Sequence, residues 1–456
     1  MKRFYLLFTA ALAIFTAGAT LVTDGSGKAY TFASLAQIDT SGVTLSDGVY
    51  TVASDFTISA GDTLRLVGGE VVKMANGIQI SIDGYADFTP ADTALITRTD
   101  DSSNPKGFRM YSDNGSAKLS HVRFEYVGIT FGCANGNIQA DNCTFTLHNA
   151  KSSSTGAIAF NNSSNGNVIE NCAFIENTMS AMGCGATNPV GIIIRNCYFY
   201  HNTTNNRNRP QLNMTCAGDY DMQILNNTII GGQFNLSGGI GINNMMGLAY
   251  SGTLTIENND VSDNRYGIAT IGPMNAIIRN NHLIDNHYET NANNGGSCIS
   301  IYDSSNKGNI YIEGNLLQGG LWGITIIGAP TVNVGKIEDP TAADYNPGNN
   351  VFVDNGNNDT LYDLYNNGTG TVYAQGNTWN VEEQDSVHIE QVVFHQVDDE
   401  SLGLVIFMPA NTGSAITDVQ ADEAVGDDRY YNLMGMPVER PENGIFIHNG
   451  KKILLP

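Results

Sequence analysis

The chain has 456 residues, among them 50 glycines and 53 asparagines, with charged residues at only 15% and a formal net charge of −23. A surface this acidic repels phosphate backbones and anionic membranes, so nucleic acid is excluded as a partner. The apolar share of 41% still supports a large core, and few prolines (12) with many turn residues suit an all-β solenoid. Length alone suggests two or three domains, but stacked repeats build one elongated body of any length.

At the N-terminus, Lys2-Arg3 precedes an apolar run from Phe4 to Phe15 and then Ala17-Gly18-Ala19. This reads as a signal peptide, residues 1–19, its apolar run short for a membrane span, with a signal anchor as the alternative. The expected location is therefore extracellular or the outer cell surface, with no transmembrane segment.

Residues 20–128 show period-two strand patterning, as in DTLRLVGG from Asp62, VVKM from Val71 and IQISIDG from Ile78. From about residue 129 a phrase recurs: apolar, any, Asn, then Asn or Cys, any, apolar. It appears as IENCAF from Ile169, IRNCYF from Ile194, ILNNTI from Ile224 and IENNDV from Ile256, with looser copies at ADNCTF from Ala140 and IEGNLL from Ile312. The repeated Asn falls at Asn142, Asn171, Asn196, Asn226, Asn258 and Asn280. Such spacing suits one coil of a β-helix plus variable loops. Asn tolerates the left-handed bend between strands, and stacked amides hydrogen-bond from coil to coil. The expected fold is an all-β, right-handed parallel β-helix with an Asn ladder, its core over 129–410.

Aligning coils on that Asn makes columns. Cys143, Cys172 and Cys197 share one; Cys133, Cys184 and Cys216 are expected to share another; Cys298 stands apart. Seven is odd and no close Cys or His pair has metal-ligand spacing, so buried free thiols are expected, with a disulfide as the alternative. Glu170 and Arg195, then Glu257, Arg279 and Glu313, form a column of alternating charge.

The run from Asp55 (DFTISAGDTLRLVGGEVVKMANGIQISIDGYADF) through KGFRMYSDN and AKLSHVRFEYVG resembles the opening coils of bacterial secreted pectate-lyase-like β-helix proteins. Asn377 to Pro409 resembles the closing coil of NosD-like proteins, with Asn377-Thr378-Trp379 where many relatives have Asn-Trp-Gly. The resemblance spans about Asp39 to Pro409. It implies the fold and leaves the activity open, since this fold hosts lyases, hydrolases, epimerases and plain binders.

Residues 411–429 read as a linker. The tail, 430–456, is expected to hold two short strands with turns at Met434-Gly435 and Asn443-Gly444. It is similar to C-terminal sorting tails of secreted Bacteroidetes proteins through Tyr431, Leu433, Gly435, Val438, Gly444, Ile445, Ile447, Gly450, Lys451 and Lys452, with Phe446 in place of the usual Tyr. That resemblance implies display at the cell surface. A hairpin that merely caps the solenoid is the alternative.

Two insertions, His201–Gln211 and Asp285–Gly296, offer walls for a site. Column alignment sets Asp263 beside Asp285 and Asp260 beside His282. Two carboxylates on adjacent coils suit a glycosidase, and His282 or His287 suits a lyase base. The candidate catalytic set is Asp263, Asp285 and His282; the candidate substrate-binding set is Tyr266, Tyr288, His201, Arg207 and Arg209, with Tyr198, Tyr200 and Trp322 as further stacking surfaces. The plainer reading is that Asp263-Asn264 and Asp285-Asn286, like Glu176-Asn177 and His201-Asn202, are a repeated turn phrase. Polygalacturonase motifs, a calcium cluster with a nearby Arg, phosphate loops and Ser-His-Asp signatures are absent from the sequence. The expectation is a protein targeting a polysaccharide, as binder, lyase or hydrolase, with a non-catalytic adhesin as the alternative. No cofactor is expected; calcium has no motif, and oligomeric state is open.

Overall fold

The computed structural model describes residues 20–149, 155–411, 430–431, 437–438, 444–448 and 451–455. The proposed signal peptide and nearly all of the proposed linker lie outside the described residues.

Within one coil, Gly156–Phe160 belongs to a first sheet, Ser164–Glu170 to a second and Ala173–Ile175 to a third. The next coil repeats the order with Ser180–Cys184, Val190–Arg195 and Tyr198–Tyr200. The three sheets hold 14, 14 and 13 strands, and nearly every pairing is parallel and in register. At about 4.8 Å per strand the solenoid is roughly 60 Å long. The protein is thus a right-handed parallel β-helix.

Alternation along each strand fills the interior. Phe124, Phe145, Phe174 and Phe199 stack face to face, with centroids 4.8, 5.0 and 5.1 Å apart. Near the other end Phe352 and Trp379 repeat the arrangement at 4.8 Å. Both ends of the core are covered. Phe32 and Leu35, on a short helix capped by Thr31, are buried at one end. At the other, Trp379, Ile389, Val392 and Phe407 from the closing segment are buried.

The bend between second and third sheets is a single left-handed residue. Asn142, Asn171, Asn196, Asn226, Asn258 and Asn280 have φ of 51 to 56°, and Gly314 takes the same place at 65°. The amide ladder lies one residue later than the repeated Asn. Asn227, Asn259, Asn281, Asn315, Asn350 and Asn377 are buried, and the Nδ2 of each of the first five donates to the next Oδ1 at 2.9 Å. The reason is geometric: the left-handed residue points its side chain outward, and the following one turns in. Cys143, Cys172 and Cys197 continue that inward column.

All seven cysteines are free and buried. Burial pushes the Cys133 thiol up to about 11 and those of Cys216 and Cys298 up to about 12. The expected second cysteine column is two columns. Cys184 pairs with Phe160, which pairs in turn with Phe131, so Cys133 lies two residues further along its strand path. The alternating-charge column is present, with Arg195–Glu170 at 2.5 Å and Arg279–Glu257 at 2.9 Å.

The tail backbone forms four short antiparallel strands, Tyr430–Tyr431, Pro437–Val438, Gly444–His448 and Lys451–Leu455, where two were expected. Among the described residues no helix is long and apolar enough to cross a membrane.

Candidate functional site

The bend between third and first sheets is also left-handed, at Glu176, His201, Asp263, Asp285 and Asp354 with φ of 51 to 58°. The Asn after each turns inward and forms a second ladder. Asn177 donates to Asn202 at 2.7 Å, and Asn264 donates to Asn286 at 3.1 Å. The coil between them has Gly231-Gly232 instead of an Asp-Asn phrase. Gln211 bridges this gap, accepting from Asn202 at 2.9 Å and donating to Asn264 at 3.0 Å. The repeated turn phrase is therefore structural at its Asn.

The acidic residues of that phrase face outward. Asp263 accepts from the Tyr288 hydroxyl at 3.1 Å and from Gln233 at 3.4 Å. Asp285 is exposed and lies over Gly319. Among the described residues, neither carboxylate caps a turn amide. Asp260 and His282 pair in register on the outer face of the third sheet, with Nδ1 2.9 Å from Oδ1, both exposed. His201 stacks on Tyr200 and lines a separate corner cleft with Arg98 and Glu176. Arg207 is exposed and Arg209 half-buried, in the His201–Gln211 insertion. The residues expected to form one site are thus spread over three faces.

Only Tyr266 of that set lies in a well-walled groove. This groove, of about 430 Å³, runs over the outer face of the first sheet. Its floor is small, with Ala269, Ser300 and Thr325 in one register column. Gly238 and Gly241 let the Tyr266 ring lie flat, because a Cβ at either would meet it. Ser297 pairs with Trp322, so Tyr266 and Trp322 flank Ser297 from the coils on either side. The insertion 285–296 forms one wall, pinned where Trp322 Nε1 donates to the Ala292 carbonyl at 2.8 Å. Tyr362 and Tyr365 back Trp322 at 4.6 and 5.1 Å. Tyr302 and Met245 are exposed at the sheet's far edge.

Arg265 is the single charged residue lining the groove. It bonds to Asn208 and to the Asn294 carbonyl, joining the two insertions, and its Nε lacks a partner among the described residues. Burial pushes the Tyr266 hydroxyl up to about 12, so it is a neutral hydrogen-bonding group at physiological pH. The sequence reading missed Arg265, Asn208 and Tyr302. The register of the first-sheet strands is the signal that groups them, and variable loops obscure it.

No family model matches the chain, and no curated protein matches it. Three solved structures do. A mutant of the periplasmic alginate epimerase AlgG is 13% identical, with TM-score 0.41 over 84% of this chain and 81% of that one. The alginate lyase AlyF-OU02 in a ligand complex is 14% identical, with TM-score 0.44 over 92% and 91%. A PL6 alginate lyase in complex with a trisaccharide is 15% identical, with TM-score 0.39 over 85% and 97%. At this level the likeness decides neither reaction nor substrate.

Two sets of side chains in the closing segment have metal-like proximity, Glu383–Asp385–His388 and Glu390–His395–Asp398. Each is occupied by internal bonding. Asp385 caps a helix through Val387 and His388. His395 Nδ1 accepts from the Val405 N–H at 2.8 Å, which leaves Nε2 protonated toward Glu390 at 2.9 Å.

Proposed function

We propose that this chain binds a polysaccharide along the outer face of its first sheet. The observation that supports it is the groove itself: Tyr266 and Trp322 on alternate coils over a small-residue floor, between loop walls joined by Arg265. Aromatic rings offer flat apolar faces to sugars, while Asn208, Asn293 and Ser297 supply hydrogen bonds. The groove lining contains no Asp, Glu or His, which ranks binding without cleavage ahead of hydrolysis or lyase chemistry.

Cleavage is the second reading, and the corner beside the groove supports it. There Asp263 is held by Tyr288, and Asp285 follows one coil on. A glycan array combined with a depolymerisation screen separates the two. Trp322→Ala is expected to weaken binding about tenfold, roughly 1.4 kcal/mol. Unchanged affinity in that variant rejects the groove. If cleavage occurs, the Asp263→Ala/Asp285→Ala double variant should abolish it, and unchanged turnover rejects the corner.

Export to the cell surface belongs to the same proposal, on the strength of residues 1–19 and the sorting-type tail pattern. Mass spectrometry of the secreted protein should find a mature N-terminus at about Thr20.

A further inference from the structure

A second trough, of about 580 Å³, lies on the outer face of the second sheet, away from the groove just described. Its floor is three parallel stripes set by strand register. Thr253, Asn275, Asn309 and Thr331 pair in sequence and make a stripe of hydroxyls and amides. Beside it run Ile277, Tyr311, Asn333 and Tyr373. The third stripe is Glu257, Arg279 and Glu313. With Thr371 extending the first stripe, five coils give about 19 Å of continuous floor.

One long insertion walls this trough, between Lys336 and Asn346, which pair with each other at its base. It is fixed at several points. Tyr311 donates to the Tyr345 carbonyl at 3.0 Å and Asn333 to the Asp344 carbonyl at 2.8 Å. Lys336 pairs with Asp344 at 2.5 Å and sits 4.7 Å from the centre of the Tyr373 ring. Asn346 is buried and bonds to the Ile312 and Asn333 carbonyls. The wall is thus preorganised, which lowers the ordering cost of binding.

The charges identify the occupant. With Glu257 of the third stripe, five charged residues bear on the trough, Arg279 and Lys336 against Glu257, Glu313 and Asp344, so it holds no spare cation for an acidic sugar. Lys336 is paired with Asp344, and Arg279 is paired with Glu257 at 2.9 Å. What remains available is a row of neutral hydroxyls and amides at one per coil, next to two tyrosines and the Glu313 carboxylate, which repels an anionic ligand. We propose that this trough is a second carbohydrate site, one that takes a neutral, unbranched oligosaccharide laid along the helix axis. The first groove offers one cation and no anion, so the two faces select ligands of different charge. The second site stands on its own stripes and insertion, and does not depend on the first groove being occupied.

The test uses the full chain in calorimetric titrations with cellohexaose, xylohexaose and mannohexaose, and with hexagalacturonate as the charged comparison. At least one neutral hexasaccharide should bind, with affinity falling about tenfold in Tyr373→Ala and several-fold in Asn309→Ala. Asn309 is exposed and its side chain makes no hydrogen bond among the described residues, so that variant guards against loss by misfolding. Trp322→Ala reports which face is being read. Absence of binding by all three neutral sugars overturns the proposal. So does a loss of neutral binding that follows Trp322→Ala and spares Tyr373→Ala and Asn309→Ala.

Discussion

Two buried titratable side chains set opposing demands on pH. His148 is fully buried, and among the described residues neither ring nitrogen has a hydrogen-bond partner. Burial pushes its pKa down to about 3. The unfolded chain therefore binds a proton that the fold refuses between about pH 3 and 6.5, and stability falls as pH drops through that window. Asp363 is the mirror case. Burial raises its carboxyl to about 7, against the N–H of Asn380, which donates to Oδ2 at 2.8 Å. Here the fold keeps a proton that the unfolded chain releases, so stability falls as pH rises from about 4 to 7. Each linkage is on the order of 4 kcal/mol, and their slopes oppose each other between about pH 4 and 6.5. Two variants should uncover them. Asp363→Asn should make the urea midpoint climb with pH across that window, and His148→Leu should make it decline. Parallel profiles for both variants and the parent would contradict the assignment. Neither residue was singled out by sequence reasoning, because nothing in a lone His or Asp reports that its pocket lacks partners.

At the scale of the coil, the ladder is the main polar element inside an apolar core. Asn281 donates to the carbonyls of Ile256 and Arg279 and to Asn315, and accepts from the N–H and the Nδ2 of Asn259. Asn281→Ala orphans several buried groups at once and should cost roughly 3 to 5 kcal/mol in chemical denaturation. Cys172→Ala, in the same column, removes one weak S–H bond to the Glu170 carbonyl, the weak sulfur acceptor of the Cys143 N–H and a small volume, and should cost about 1 to 2 kcal/mol. Equal losses would mean that column position, not amide bonding, sets the energy. The Asn phrase made coil register legible, and with it the charge column and the inward run of cysteines. It pointed one residue away from the amide ladder, since sequence spacing alone does not say which of two adjacent residues turns inward. Gln211 was not legible at all. It mends the second ladder from a different strand, nine residues beyond Asn202. The first groove was partly legible through Tyr266 and Trp322. Arg265 was hidden because its partners come from two insertions whose lengths carry no register.

Across the whole molecule, a net charge of −23 is spread over an elongated body with 22 basic residues against 45 acidic ones. Self-repulsion of that size opposes the compact state, and salt screens it over a distance of about 30 Å at 0.01 M and about 8 Å at 0.15 M. The urea midpoint should therefore rise when NaCl increases from about 10 to 150 mM. Binding adds a sharper constraint. A neutral sugar in the trough, where both cations are already paired, displaces no counterion, so its affinity should stay level over the same salt range. A glycan held by Arg265 through an anionic group should weaken as salt rises, because that contact is a single partly exposed cation. Measuring both titrations at the two salt levels thus separates three quantities that share one chain: fold stability rising, trough affinity flat, first-groove affinity for an acidic glycan falling. A trough affinity that falls with salt would mean that its cations are open to an anionic group in solution, and the neutral assignment would fail with it.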